Sequence, residues 1–85
     1  MSKWDRPLRY DVVKRGLKKL GLDYDVSGSK HDSATCPETR NKTGIPRPKS
    51  KHKNELSKYT VGSICEFLIA NGYKEADIKK AFKIR

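Results

Sequence analysis

From Tyr10 to Leu20 the apolar side chains Tyr10, Val13, Leu17 and Leu20 recur every three or four residues. From Leu22 to Val26 they recur every two, with Asp23 and Asp25 between them. A change of period from helical to extended within so short a span fixes the architecture, because each period buries one face only and the two faces must cover each other. The first period predicts an amphipathic helix over 8–20. Its lysines lie toward the negative end of the dipole, Asp5 or Asp11 lies toward the positive end, and Gly21 stops it. Gly16 sits inside this helix, where glycine costs about 1 kcal/mol relative to alanine.

The second period predicts a strand over 22–26, with Asp23 and Asp25 on its solvent side and Ser27-Gly28-Ser29 as the turn of a hairpin. In the returning stretch, Lys30 to Cys36, alternation puts Ala34 and Cys36 on the core face and His31, Ser33 and Thr35 on the outer face. Residues 37–43 read as a loop, and Thr43-Gly44-Ile45-Pro46 as a short third strand ended by prolines. Lys49 to Lys58 reads as a basic loop. Thr60 is the expected N-cap of a second helix whose apolar face is Val61, Ile64, Cys65, Leu68 and Ile69, closed by Gly72. A last short helix over about 75–83 offers Ile78, Ala81 and Phe82, and packing into the core is its first expected role. Helix, three short strands, helix and helix make a two-layer α+β domain, with 1–85 as a single unit. In 85 residues with 34% hydrophobic content the core must be thin.

Twenty Lys and Arg against ten Asp and Glu leave a formal charge of +10. The excess falls mainly in two blocks, seven basic against two acidic residues in 1–21 and again in 38–60. Such a field favours a polyanion, with an acidic protein as a further candidate partner. No apolar run approaches the roughly 18 residues of a membrane span, and the first residues lack the apolar stretch of a signal peptide, so the expected location is cytoplasmic. Cys36 and Cys65 are expected as thiols in the core. Joining them to His31 and His52 would make a four-ligand zinc set, but the intervals fit no zinc-finger spacing and no metal is expected.

The candidate chemistry lies with the two histidines. His31 follows the Gly28-Ser29 turn and is presented at the start of a strand, facing outward. His52, within Lys49-Ser50-Lys51-His52-Lys53, reads as a phosphate-side contributor. Trp4 is a candidate for base stacking or for covering the rim of the first helix. No phosphate-binding glycine loop, H-E-x-x-H helix or paired carboxylate site is present in the sequence.

Five segments, in order, resemble the HicA-type mRNA interferase toxins: Lys18-Lys19-Leu20-Gly21-Leu22, Gly28-Ser29-Lys30-His31, Ile45-Pro46-Arg47-Pro48, Glu55-Leu56, and Tyr59-Thr60-Val61-Gly62-Ser63-Ile64. The resemblance covers about residues 8–73, with 74–85 as an extension. It departs from the family at Asp32-Ser33-Ala34, where bulkier strand residues are usual. It implies a double-stranded-RNA-binding-like fold, a small antiparallel three-stranded sheet packed on two helices with an added C-terminal helix. It also implies a ribonuclease of a toxin–antitoxin pair, held inactive by a HicB-like antitoxin. By position, His31 matches the family's catalytic histidine, and Gly28 and Ser29 match its turn. The expected RNA contacts are Gly28, Ser29, Lys30, Lys49, Lys51, His52, Lys53 and Lys58, with mRNA as the substrate and no cofactor. The rival expectation is a non-catalytic RNA-binding module of the same fold.

Overall fold

The computed structural model describes residues 7–26, 31–47 and 55–84. Along the chain the elements are β1 (Leu8–Arg9), α1 (Tyr10–Lys19), β2 (Asp23–Asp25), β3 (His31–Thr35), β4 (Lys42–Pro46), β5 (Glu55–Leu56), α2 (Lys58–Ala70) and α3 (Glu75–Ala81). The expected α+β fold is present, a three-stranded antiparallel sheet in the order β2-β3-β4 with three helices.

Alternation along β3 decides which face is covered. Asp32, Ala34 and Cys36 are buried, while His31 is exposed and Ser33 and Thr35 are partly exposed. Despite its small side chains the strand forms over five residues, is central in the sheet and pairs along its length with β4, from His31↔Pro46 to Thr35↔Lys42. On its other side Tyr24 opposes Ala34 and Asp25 opposes Ser33. The buried sheet face meets Val13 and Leu17 of α1, Val61, Ile64, Cys65 and Leu68 of α2, and Ile78 and Phe82 from α3 and its end, in one cluster. Both cysteines are free and buried, as expected.

The structure differs from the periodic reading at several points. Leu8 and Arg9 are extended rather than helical, because they pair with Leu56 and Glu55 in a separate two-stranded ribbon. For the same reason Glu55-Leu56 is strand β5 rather than loop, with Leu56 buried. The α2 helix begins a turn early: Ser57 is its N-cap, its Oγ accepting from the Thr60 amide at 3.2 Å, so Thr60 is a donor to the cap and not the cap itself. Val26 and Ile69, expected on apolar faces, are 51% and 43% exposed. Val26 lies beyond the paired end of β2, and Ile69 lies at the edge of the α2 stripe, beside the buried Leu68.

All three helices end the same way. After α1, Gly21 at φ 92° lets the Leu22 amide reach back to the Leu17 carbonyl at 3.1 Å and its own amide reach Lys18 at 3.0 Å. Gly72 and Tyr73 repeat this on Ile69 and Leu68, and Lys83 and Ile84 repeat it on Lys80 and Lys79. These are Schellman closures, in which the residue after the left-handed one returns an apolar side chain to the helix. Leu22 and Ile84 are buried accordingly. Glycine fills the left-handed position twice; Lys83 holds it at φ 56°, without the glycine signal that marks the other two.

The C-terminal helix belongs to the core. Ile78 and Phe82 are fully covered, and the Phe82 ring lies against α1 at Gly16, where a Cβ would fall 2.1 Å from it. Gly16 is therefore the gap in α1 that admits the ring, which accounts for a glycine where helix propensity disfavours one. No helix among the described residues is long and apolar enough to cross a membrane.

Candidate active site

His31 is the first residue of β3, exposed, on the face of the sheet opposite the helices. Its strand partner is Pro46, the last residue of β4. The outward orientation expected from alternation is what the sheet provides. Of the other expected RNA contacts, Lys58 is described: it is exposed at the first position of α2, its ammonium 5.4 Å from the centre of the Tyr59 ring. Gly28, Ser29, Lys30, Lys49, Lys51, His52 and Lys53 lie outside the described residues, as does Trp4. Lys58 belongs to a helix and His31 to the sheet, so the two occupy different layers of the domain.

Directly beneath His31, facing inward, lies a polar cluster that periodicity did not single out. Asp32 is 0% exposed and, among the described residues, is the buried charged residue of the core. Its Oδ2 accepts from the Tyr10 hydroxyl and, at 2.7 Å, from the Tyr24 hydroxyl. Its Oδ1 accepts from Arg47 Nε at 2.6 Å, and Arg47 Nη2 donates to the Val26 carbonyl. A carboxylate accepts only, and here three donors from three different parts of the chain converge on it. No buried side-chain nitrogen or oxygen among the described residues is left without a partner.

These contacts set the charge states. Burial works to raise the Asp32 carboxyl, but the bonds from Tyr10, Tyr24 and Arg47 outweigh it and hold the group below the usual carboxylate range. The Tyr24 hydroxyl is pushed up by burial and by its bond to Asp32, and Tyr10 is raised for the same two reasons. Arg47 is raised by its bond to Asp32. The cluster is thus a carboxylate held by two neutral phenols and a guanidinium at ordinary pH. Lys14 and Lys18 of α1 lie 5.8 and 5.9 Å from the centre of the Tyr24 ring, adding cationic charge beside it.

The signals for this cluster are visible in the chain once read together. Asp32 is in phase with Ala34 and Cys36, Tyr24 lies between the two outward aspartates of β2, and Tyr10 starts the apolar stripe of α1. A proline-flanked arginine at 47 supplies the counter-charge. Chemically, the arrangement offers an exposed imidazole on a strand end whose inner side is pinned by one ion pair and two phenol hydrogen bonds. Among the described residues no group of three or more His, Cys, Asp or Glu could hold a metal ion.

A second polar junction lies at the far end of β3. Asn71, the C-cap of α2, accepts from Thr39 at 2.7 Å and from the Asn41 amide group at 2.8 Å, while its own amide group donates to the Phe67 carbonyl. It ties α2 to the β3–β4 turn, and its groups are all satisfied locally. Compared with protein-family models, curated proteins and solved structures, the chain matches none.

Proposed function

We propose that this protein is an endoribonuclease of the mRNA interferase type, the toxin of a type II toxin–antitoxin pair, with His31 as its acid–base group. The observation that carries the reading is the exposure of His31 at the start of the central strand, on a chain of net charge +10. An imidazole sunk among the aliphatic groups of the core would have been out of reach of a nucleotide. RNA brings its own nucleophile, the 2′-hydroxyl. The enzyme's work is to take that proton, align the oxygen with the adjacent phosphorus and offset the added negative charge. His31 takes the proton and returns one to the departing 5′-oxygen. Lys58 and the basic run 49–53 hold the backbone, joined by Lys30 and the amides of Gly28 and Ser29 near the phosphate. The products are a 2′,3′-cyclic phosphate and a 5′-hydroxyl, and no metal or cofactor enters the steps.

Two further parts of the reading rest on the sequence resemblance to HicA-type toxins and on charge. A HicB-like antitoxin with acidic residues inhibits the enzyme by covering His31 and the basic segment, because opposite fields speed association. The protein works in the cytoplasm, where mRNA is its substrate.

The test is incubation of the purified protein with end-labelled single-stranded RNA in EDTA. The expected result is scission to cyclic-phosphate ends, reduced about 10²–10⁴-fold by His31→Ala with the fold unchanged. Retention of RNA without scission would replace the nuclease by a binding module of the same fold.

A further inference from the structure

We infer that Arg47, acting with Asp32, is the positioning residue for His31, its one guanidinium tying the start of β3 to the chain just past the end of β2. This deepens the ribonuclease reading and rests on it for its kinetic consequence.

His31 stands at a place where the sheet alone holds it weakly. It is the end residue of β3, and its strand partner Pro46 has no N–H to give to the ladder. The side chains make up for this. Asp32 follows His31 and Arg47 follows Pro46, and because the strands are antiparallel the two lie on opposite sides of the His31–Pro46 pair, so that the ion pair spans it. Arg47 Nε holds Asp32, the residue after His31, at 2.6 Å. Its Nη2 holds the carbonyl of Val26, the residue after β2. Tyr10 and Tyr24 bring α1 and β2 onto the same carboxylate. One guanidinium therefore ties together the ends of β2, β3 and β4 where they meet.

Only a planar fork with several donors does this. A lysine ammonium is a compact point charge on a flexible stem and cannot hold Asp32 and the Val26 carbonyl in one plane. An imidazole displaced by about 1 Å loses on the order of 10²-fold in rate, whereas RNA affinity, spread over many lysines, is little changed.

The experiment compares Arg47→Lys and Tyr24→Phe with the parent protein, using kcat and KM for an oligoribonucleotide, urea unfolding, and NMR relaxation of the ¹³C-labelled His31 ring. Arg47→Lys is expected to lower kcat by about 10–100-fold with KM within about 3-fold, and to mobilise the His31 ring. Tyr24→Phe removes one donor to Asp32 but leaves the fork, and is expected to lower stability while keeping kcat and ring order. Loss of kcat in proportion to stability in both variants, or an ordered ring with full kcat in Arg47→Lys, overturns the inference. So does a raised KM at unchanged kcat, which would make Arg47 an RNA contact. If the parent protein cuts no RNA, the nuclease reading falls separately, and ring order alone decides positioning: mobility in Arg47→Lys upholds it and unchanged order overturns it. Should Arg47→Lys not fold, Asp32→Asn combined with Arg47→Gln removes the buried charge together with its partner, and the same outcomes apply.

Discussion

Asp32 and Arg47, 15 residues apart in the chain, meet at 2.6 Å across the end of the sheet, and the carboxylate is fully covered while the guanidinium remains partly in solvent. A buried ion is costly unless its bonds are complete, and Asp32 completes them with Tyr10 and Tyr24. The stability of this domain is accordingly tied to the charge states of these groups.

The first prediction concerns pH. The folded Asp32 pKa is lowered, so its contribution is fully present above the ordinary carboxyl range near pH 4 and is lost as pH falls through the lower folded value. The folded Tyr10 and Tyr24 pKa values are raised, so their contribution is present below about pH 10 and is lost as pH rises beyond it. Urea midpoints measured across pH should fall on both limbs. Asp32→Asn should flatten the acid limb, and Tyr24→Phe should flatten the alkaline limb at a cost of about 1–2 kcal/mol near neutrality. Unchanged limbs in these variants would place the titrating groups elsewhere.

Gly16→Ala tests the docking of the last helix. Helix propensity alone predicts a gain of about 1 kcal/mol. A Cβ would lie 2.1 and 2.4 Å from Phe82 ring atoms and 3.0 Å from the Ala81 carbonyl, so the expected outcome is a net loss of about 1–3 kcal/mol from overpacking. Adding Phe82→Leu should recover part of that loss, a non-additive result in a double-mutant cycle.

The α2 cap separates two hydroxyls that look equivalent in sequence. Ser57→Ala removes the acceptor for the Thr60 amide and should cost about 1 kcal/mol. Thr60→Ala keeps the amide and loses only a hydroxyl contact at 3.1 Å, so its cost in thermal unfolding should be smaller. A larger loss at Thr60 would return the cap to that residue.

Cysteine chemistry should report global opening. Cys65 is fully buried, and burial pushes its thiol up to about 12, with Glu66 adding to the shift. The thiolate is the reactive form, so a disulfide reagent at pH 8 should modify Cys65 no faster than the domain unfolds. Rapid labelling of the native protein at Cys65 would contradict its place in the core.

The periodic signals recovered the elements that bury a long stripe or a clear alternation: α1, α2 and the β2–β3 hairpin, including the outward turn of His31. Short pairings escaped. Leu8-Arg9 and Glu55-Leu56 are too brief to show a period, and each is extended only because the other is there. The polar cluster escaped for a related reason. Alternation places Asp32 on the inward face with Ala34 and Cys36, but no period names its partners, and those are Tyr10, Tyr24 and Arg47, 22, 8 and 15 residues away. Lys83 carries no glycine, yet closes α3 as Gly21 and Gly72 close the other helices. The basic run 49–53 lies outside the described residues, so the site is legible on its imidazole side.

The ring of Phe82 seated in the notch at Gly16 joins segments from opposite ends of the chain. Neither helix is a self-sufficient local structure: α1 without that ring has a hole in its packed side, and α3 without that notch has nowhere to place its largest side chain. The two are therefore expected to melt together, as one cooperative unit rather than a stable body with a fraying appendage.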